Sequence, residues 1–215
     1  MMTGGGGLTF NGINAERYER WYQTKEGSYF DRLEKELIFR MISPVPGERL
    51  LEIGCGTGHF LKWLKTFGLK LTGVDSSRDM IEYASKNLDR DIELKIGDAK
   101  NLSFEDESFD IVVFITTLEF LDNPKDAIKE ALRISKKKVF IGFLNRLSLL
   151  AIKRRIKGFF KDSVYNKATF YTIFEIKKML KEINSELEIT KIEGVKTKLG
   201  PFNLISPFVG VLIEK

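Results

Sequence analysis

The chain has 215 residues, 43% of them hydrophobic and 12% aromatic, enough for a sizeable core in one domain and too apolar for wholesale disorder. No apolar run reaches the roughly 18 residues of a membrane-spanning helix, and one cysteine with one histidine excludes a disulfide framework or a Cys/His zinc cage. The formal charge of +5 is uneven: residues 1–132 carry a net −6 and residues 133–215 a net +11. The basic C-terminal third reads either as a face for an acidic substrate, nucleic acid or anionic membrane, or as a solvated lysine-rich surface. The opening MMTGGGGLTF lacks the basic and apolar regions of a secretory signal. A cytoplasmic protein with a loose tail over residues 1–13 and no metal is expected.

Two periodicities alternate along the chain. Asn14 to Ile42 reads as a helical cap containing Tyr18, Trp21, Tyr22, Tyr29 and Phe30, interrupted at Gly27. Arg49 to Ile53 is a short apolar strand running into glycines, and His59 to Phe67 has helical spacing. Lys70 to Val74 is a second strand, Ser77 to Asn87 a helix with Met80, Ile81 and Ala84 inward, and Asp91 to Ile96 a third strand. Phe109 to Ile115 (FDIVVFI), apolar but for Asp110, reads as a fully buried strand. Asn123 is placed to cap the next helix, with Pro124 at its first position and Ala127, Ile128, Ala131 and Leu132 inward. Lys138 to Leu144 is a fifth strand and Thr172 to Ile183 a further helix. Leu187 to Glu193 and Phe208 to Glu214 are closing strands joined across Gly200-Pro201. This order predicts one α/β domain: a doubly wound, mostly parallel seven-stranded sheet with helices on both faces and an N-terminal helical cap. The cap spans residues 14–44, the core 45–145, a lid or substrate insertion 146–171 and the closing elements 172–215. The ligand site belongs at the carboxyl ends of the strands.

The strongest chemical signal is LLEIGCGTGHF, residues 50–60. A buried strand enters Gly54, Gly56 and Gly58 and opens a helix, which brings backbone and oriented N–H donors close to a ligand. The spacing is G-x-G-x-G, neither the G-x-G-x-x-G of a dinucleotide turn nor a P-loop. Asp75 ends the next strand, where an acid accepts ribose hydroxyls or caps the following helix; beside the glycine loop the ribose reading is preferred. Met80 packs on an adenine or belongs to the core. Gly97-Asp98-Ala99 supplies an acid and a backbone N–H for an adenine, or is an ordinary turn.

These segments, with IGDAKNLSFEDESFDIVVFITTLEFLDNP, resemble the class I S-adenosylmethionine-dependent methyltransferases, and most closely their small-molecule type 11 (UbiE-like) branch. The resemblance spans about residues 45–145. It implies S-adenosyl-L-methionine as cofactor and S-adenosyl-L-homocysteine as product. It implies a cofactor site made of Gly54, Gly56 and Gly58 with Cys55 between them, Glu52, Asp75 with Ser76, Met80, Asp98 with Ala99, and the backbone at Ile115 for the ammonium. Tyr18 is added from the N-terminal cap, whose aromatics close over the cofactor or belong to the core.

Many relatives have a histidine after the fourth strand, where this chain has Phe120. Glu119 is the ionisable side chain there, either a base or, as slightly preferred, a residue that orders the loop. Asn145 and Arg146 follow the fifth strand on the acceptor side, where Arg146 holds an anionic acceptor or is one more surface charge. His59 is read as structural. Residues 146–161 hold six cations, seven large apolar residues and no acid. They are expected to form a lid that is mobile without an acceptor, ahead of a membrane-surface contact or a nucleic-acid patch. The expected partner is a small or amphiphilic methyl acceptor. An RNA-modifying methyltransferase and a non-catalytic adenosyl-ligand sensor are the alternatives, and a nicotinamide oxidoreductase is a poor fourth.

Overall fold

The computed structural model describes residues 12–148, 168–196 and 205–215. The tail over 1–11, most of the expected lid (149–167) and the Gly200-Pro201 joint lie outside the described residues. Helices α1 (Gly12–Tyr22) and α2 (Lys25–Ile42) precede β1 (Arg49–Ile53) and α3 (His59–Leu64), which a 3-10 turn (Lys65–Phe67) prolongs. There follow β2 (Lys70–Asp75), α4 (Arg78–Asn87), β3 (Glu93–Ile96), β4 (Phe109–Ile115) and a 3-10 turn (Leu118–Phe120). The chain continues with α5 (Pro124–Ile134), β5 (Ser135–Leu144), α6 (Ile173–Ile183), β6 (Ile189–Gly194) and β7 (Phe208–Glu214). The sheet order is β3-β2-β1-β4-β5-β7-β6, with β7 antiparallel to both neighbours and the first five strands parallel.

Strand β4 lies mid-sheet and needs apolar residues on both faces. Val112 and Phe114 join Ile128, Ala131, Ile176 and Leu180 under α5 and α6. Ile111, Val113 and Ile115 join Leu37, Ile38, Leu61 and Leu64 under α2 and α3. Gly210 serves this close packing: a Cβ there would lie 2.6 Å from Met41 Sδ and 2.7 Å from the Phe140 ring. The sheet is thus fixed from both sides, and the carboxyl ends of β1, β2, β4 and β5 meet at one edge.

Several boundaries differ from the sequence reading. The first helix begins at Gly12 rather than Asn14, and the break in the cap falls at Gln23-Thr24, ahead of Gly27. The Thr24 hydroxyl accepts the Gly27 N–H at 3.0 Å and so starts α2. Gly27 sits in the first turn of α2, where a side chain would collide with the Trp21 carbonyl. Asn123 does not cap α5; its amide donates to the Asp126 carboxylate instead. Ile134, not Leu132, completes that helix's buried face. Strand β5 starts three residues early, at Ser135, whose hydroxyl bonds the Lys138 carbonyl across a register irregularity opposite Phe109. Strand β3 starts two residues late, at Glu93, because its edge position leaves only Thr72 to Asp75 to pair with.

Candidate active site

The loop after β1 is built by its neighbours. Gly54, Gly56 and Gly58 have φ of 74°, 52° and 79°, the left-handed region where glycine is favoured. At Gly54 there is no room for a Cβ either, since it would strike the Thr117 side chain, while at Gly56 nothing lies within 4 Å. Gly54 is therefore dictated from within and Gly56 leaves an open approach to backbone. The Gly54 and Cys55 N–H groups both donate to the Val74 carbonyl, at 2.7 and 3.0 Å. The Gly56 N–H donates to Asp75 Oδ2 and the Ser77 N–H to Asp75 Oδ1, each at 2.8 Å. Thr117 Oγ1 donates to the carbonyls of Ile53 and Ile115 at 3.0 and 3.3 Å, tying the ends of β1 and β4 together.

Three carboxyl groups stand at this edge with distinct environments. Glu52 is buried, and its Oε2 has no hydrogen-bond partner among the described residues. Burial, and then the Asp75 charge, hold it well above the usual carboxylate range. Such a group calls for a cationic partner. Asp75 is raised by burial, against the N–H groups of Ser77, Gly56 and Ser76. A carboxylate offers about four lone-pair sites, so Asp75 retains acceptor capacity for hydroxyls while it holds the loop. The Cys55 thiol is pushed well above its ordinary value by burial and the neighbouring acids and packs against Gly73; it is no nucleophile. Met80 is buried, its N–H capped by Ser77 Oγ at 3.3 Å.

Glu119 is the third carboxyl. It is 1% exposed, its Oε1 accepts the Leu144 N–H at 2.6 Å, and its Oε2 has no partner among the described residues. Burial raises it to about 7, against the Leu144 N–H and its own. Its backbone carbonyl accepts the Thr169 N–H at 2.8 Å. Tyr171, whose hydroxyl donates to Leu118 O at 3.4 Å, is pushed up to about 12 by burial, then by Glu119 and Glu175. Asn145 is buried, with Oδ1 accepting the Leu147 N–H at 3.1 Å. Arg146 instead makes a solvent-facing ion pair with Glu175 at 2.8 Å. Exposed pairs contribute about 0–1 kcal/mol, so Arg146→Ala is expected to shift the urea unfolding free energy by less than about 1 kcal/mol.

A family model described as a methyltransferase domain, type 11, matches residues 51–142. An uncharacterised protein of Methanocaldococcus jannaschii is 37% identical over 197 residues, 86% of this chain and 90% of that protein. Over 95% of this chain and 97% of its own, an S-adenosylmethionine-dependent methyltransferase of Thermotoga maritima, a possible histamine N-methyltransferase, superposes with a TM-score of 0.74 at 28% identity. The chain belongs to the class I S-adenosylmethionine-dependent methyltransferases, in their type 11 branch. It is an enzyme of that activity with S-adenosylmethionine as cofactor. A demethylmenaquinone methyltransferase of Thermotoga maritima is 34% identical over 106 residues, and there this methyltransferase matches only 46% of the relative's length.

The residues present suit the cofactor. The unpartnered Glu52 oxygen fits an ammonium, the open Gly56 backbone fits close approach, and Asp75 has lone pairs left for a ribose. The Ile115 carbonyl already accepts the Thr116 and Thr117 hydroxyls, which makes Glu52 the stronger partner for the ammonium. Asp98 is exposed, accepts the Lys100 N–H at 3.0 Å and forms the turn anticipated for it, while Ala99 is buried beneath. Tyr18 stands on α1, with its hydroxyl 2.7 Å from that of Tyr22. Sequence reasoning did not single out Thr57 and Thr117 around the glycines, Glu19 on α1, or Tyr171 beside Glu119. Thr116 and Thr117 carried one signal, a polar pair directly after the apolar run Ile111 to Ile115; the others carried none.

Proposed function

We propose that this enzyme methylates a small or amphiphilic acceptor bound beside Glu119 at the carboxyl ends of β4 and β5. The observation that carries this reading is the pair of buried carboxylate oxygens without partners among the described residues, Glu52 Oε2 on β1 and Glu119 Oε2 in the 3-10 turn after the adjoining β4. The first suits the cofactor and leaves the second for the acceptor. Support for an amphiphile comes from Leu147 and Phe174, both exposed, next to the Arg146–Glu175 ion pair. Relatives named for demethylmenaquinone and for malonyl-[acyl-carrier protein] point the same way. We place the protein in the cytoplasm, in keeping with its one free thiol, Cys55.

The bound cofactor supplies an already activated methyl group on its sulfonium. The chain's task is alignment and exclusion of water. Glu52, the backbone of Gly54 to Gly58, Asp75, Met80, Asp98 and Ala99 hold the cofactor. Glu119 fixes the loop after β4 to the end of β5 through Oε1 and offers Oε2 to the acceptor. In this reading it orients the acceptor rather than taking its proton.

The test offers S-adenosylmethionine with prenylated quinols, acyl thioesters, small amines and bulk RNA, and follows S-adenosylhomocysteine release. Transfer to one of the small or amphiphilic acceptors is expected; transfer confined to RNA overturns the reading. With that acceptor, Glu119→Gln is expected to keep cofactor affinity and to lower kcat by less than about tenfold. A loss of two orders of magnitude or more in a folded variant makes Glu119 a base instead.

A further inference from the structure

The chain's one histidine is the hub of a charged cluster that the methyl-transfer reading does not use. His59 opens α3 directly after the glycine loop. Its Nε2 lies 2.7 Å from Asp31 Oδ1 on α2, and its Nδ1 lies 3.8 Å from Glu19 Oε2 on α1. Lys35 Nζ sits 2.8 Å from Asp31 Oδ2 and 3.1 Å from His59 Nε2. The other oxygen of Glu19 accepts the hydroxyl of Thr57, between Gly56 and Gly58, at 2.5 Å. Tyr22 stacks on the imidazole at a centroid distance of 3.6 Å and an angle of 6°, and its hydroxyl meets that of Tyr18. One side chain of α1 therefore reaches into the glycine loop, and one ring of α1 lies flat on the histidine that follows it.

We propose that Glu19, His59 and Asp31 form a clasp that docks α1 on the glycine loop and thereby positions Thr57 and Tyr18 for the adenosyl ligand. This rests on the cofactor reading of the loop. Glu19 and His59 are positioning residues: they act through Thr57 and Tyr22. A carboxylate stands near each ring nitrogen, Asp31 at hydrogen-bond distance from Nε2 and Glu19 at ion-pair distance from Nδ1, an arrangement that favours the ring carrying N–H and positive charge toward both. Only the imidazolium does so; a neutral ring keeps one N–H and leaves the other carboxylate facing a lone pair. Helix α2 is also anchored by Leu37, Ile38, Met41 and Ile42 in the core. The buried apolar side chains of α1 are Ala15 and Tyr22 among those described, so α1 is the element that lets go.

The charges around the ring fix the sign. Burial disfavours the imidazolium, but the Asp31 and Glu19 carboxylates outweigh it and Lys35's opposition, and His59 is raised. The proton's contribution to the clasp is complete below the ordinary histidine range and is lost as pH rises through the raised value. Glu19 and Asp31, despite burial, are lowered by His59, with Thr57 and Lys62 assisting the first and Lys35 the second. Their charge is lost only in acid. Tyr83 on α4 is raised by burial, then by Glu19 and Glu16, and stays neutral across the window. The clasp therefore weakens from neutral pH upward.

The test has two arms over pH 6–9. In the ligand-free protein, hydrogen exchange of the α1 amides, corrected for intrinsic rates, is expected to lose about fivefold protection with rising pH, the scale of a partly exposed ion pair. The Kd for S-adenosylhomocysteine is expected to rise by a similar factor. His59→Gln and Glu19→Gln should each flatten both profiles; Glu19→Gln, on half-exposed α1, carries the test if the first variant does not fold. Flat wild-type protection, or the same slope surviving in a folded variant, overturns the clasp. Loosening of α1 with tight, pH-independent binding overturns its coupling to the ligand. Absence of S-adenosylhomocysteine binding at every pH overturns the cofactor reading on which the proposal rests.

Discussion

Asp75→Ala is expected to weaken S-adenosylhomocysteine binding by about 10- to 100-fold, roughly 1.5–3 kcal/mol. Two losses combine. The ligand's ribose loses a charged acceptor, and the Gly56 and Ser77 N–H groups lose the oxygens that hold them at 2.8 Å. The second loss loosens a loop whose three glycines all take positive φ and have no side chains of their own to restore its shape. Asp75→Asn separates the two effects, because its amide oxygen still accepts one backbone N–H. It should bind more tightly than the alanine variant and less tightly than the wild type. Calorimetry decides the matter, with urea unfolding as a check that the fold survives. Unchanged affinity in Asp75→Ala removes this carboxylate from the site. NAD is expected not to bind at all, because the third glycine falls one residue short of the dinucleotide turn.

The glycine loop with its strand and helix was legible because it is local. The motif of residues 50–60 carries its strand, its turn and its helix in one stretch; Asp75 ends, and Asp98 closely follows, a strand that periodicity finds. The supports of that motif come from far along the chain. Thr117 fills the space that makes Gly54 a glycine, across 63 positions of sequence. Glu19 holds Thr57 from a helix whose charges look like any solvated face. His59 reads from the sequence as structural, but nothing local reveals that carboxylates from two other helices flank it. Boundaries failed for a related reason. Ser135 to Lys137 look like loop, yet they extend β5 because β4 lies alongside to pair with them. Arg146 reads equally as a holder of an anion or a surface charge because its partner, Glu175, lies 29 residues away in sequence.

The ligand-free enzyme is expected to lose stability between pH 5 and pH 8, and Glu119→Gln to remove about 3 kcal/mol of that loss. Glu119 titrates near 4.5 as an ordinary side chain and near 7 when buried. Over that interval the native state keeps a proton that the unfolded chain has released, so stability falls as pH rises. The contribution is fully present below about 4.5 and is lost as pH climbs through about 7; an interval of this width corresponds to about 3 kcal/mol. Glu52 is shifted in the same direction by burial and Asp75, and His59 adds a loss of its own above its ordinary value. The acids held low by cationic partners, such as Asp31 and Glu130, complete their gain in more acidic solution and do not offset the decline. Glutamine keeps an oxygen for the Leu144 N–H but buries an NH2 where Oε2 has no partner, which costs about 1–3 kcal/mol. The two stability curves should therefore cross, with the variant weaker at pH 5 and stronger at pH 8. Urea unfolding at four pH values checks this, and parallel declines in the two proteins would place the Glu119 proton elsewhere. A crossing means that the enzyme retains, near neutral pH, a buried carboxyl that weakens its own fold, as expected of a group kept for contact with the acceptor rather than for stability.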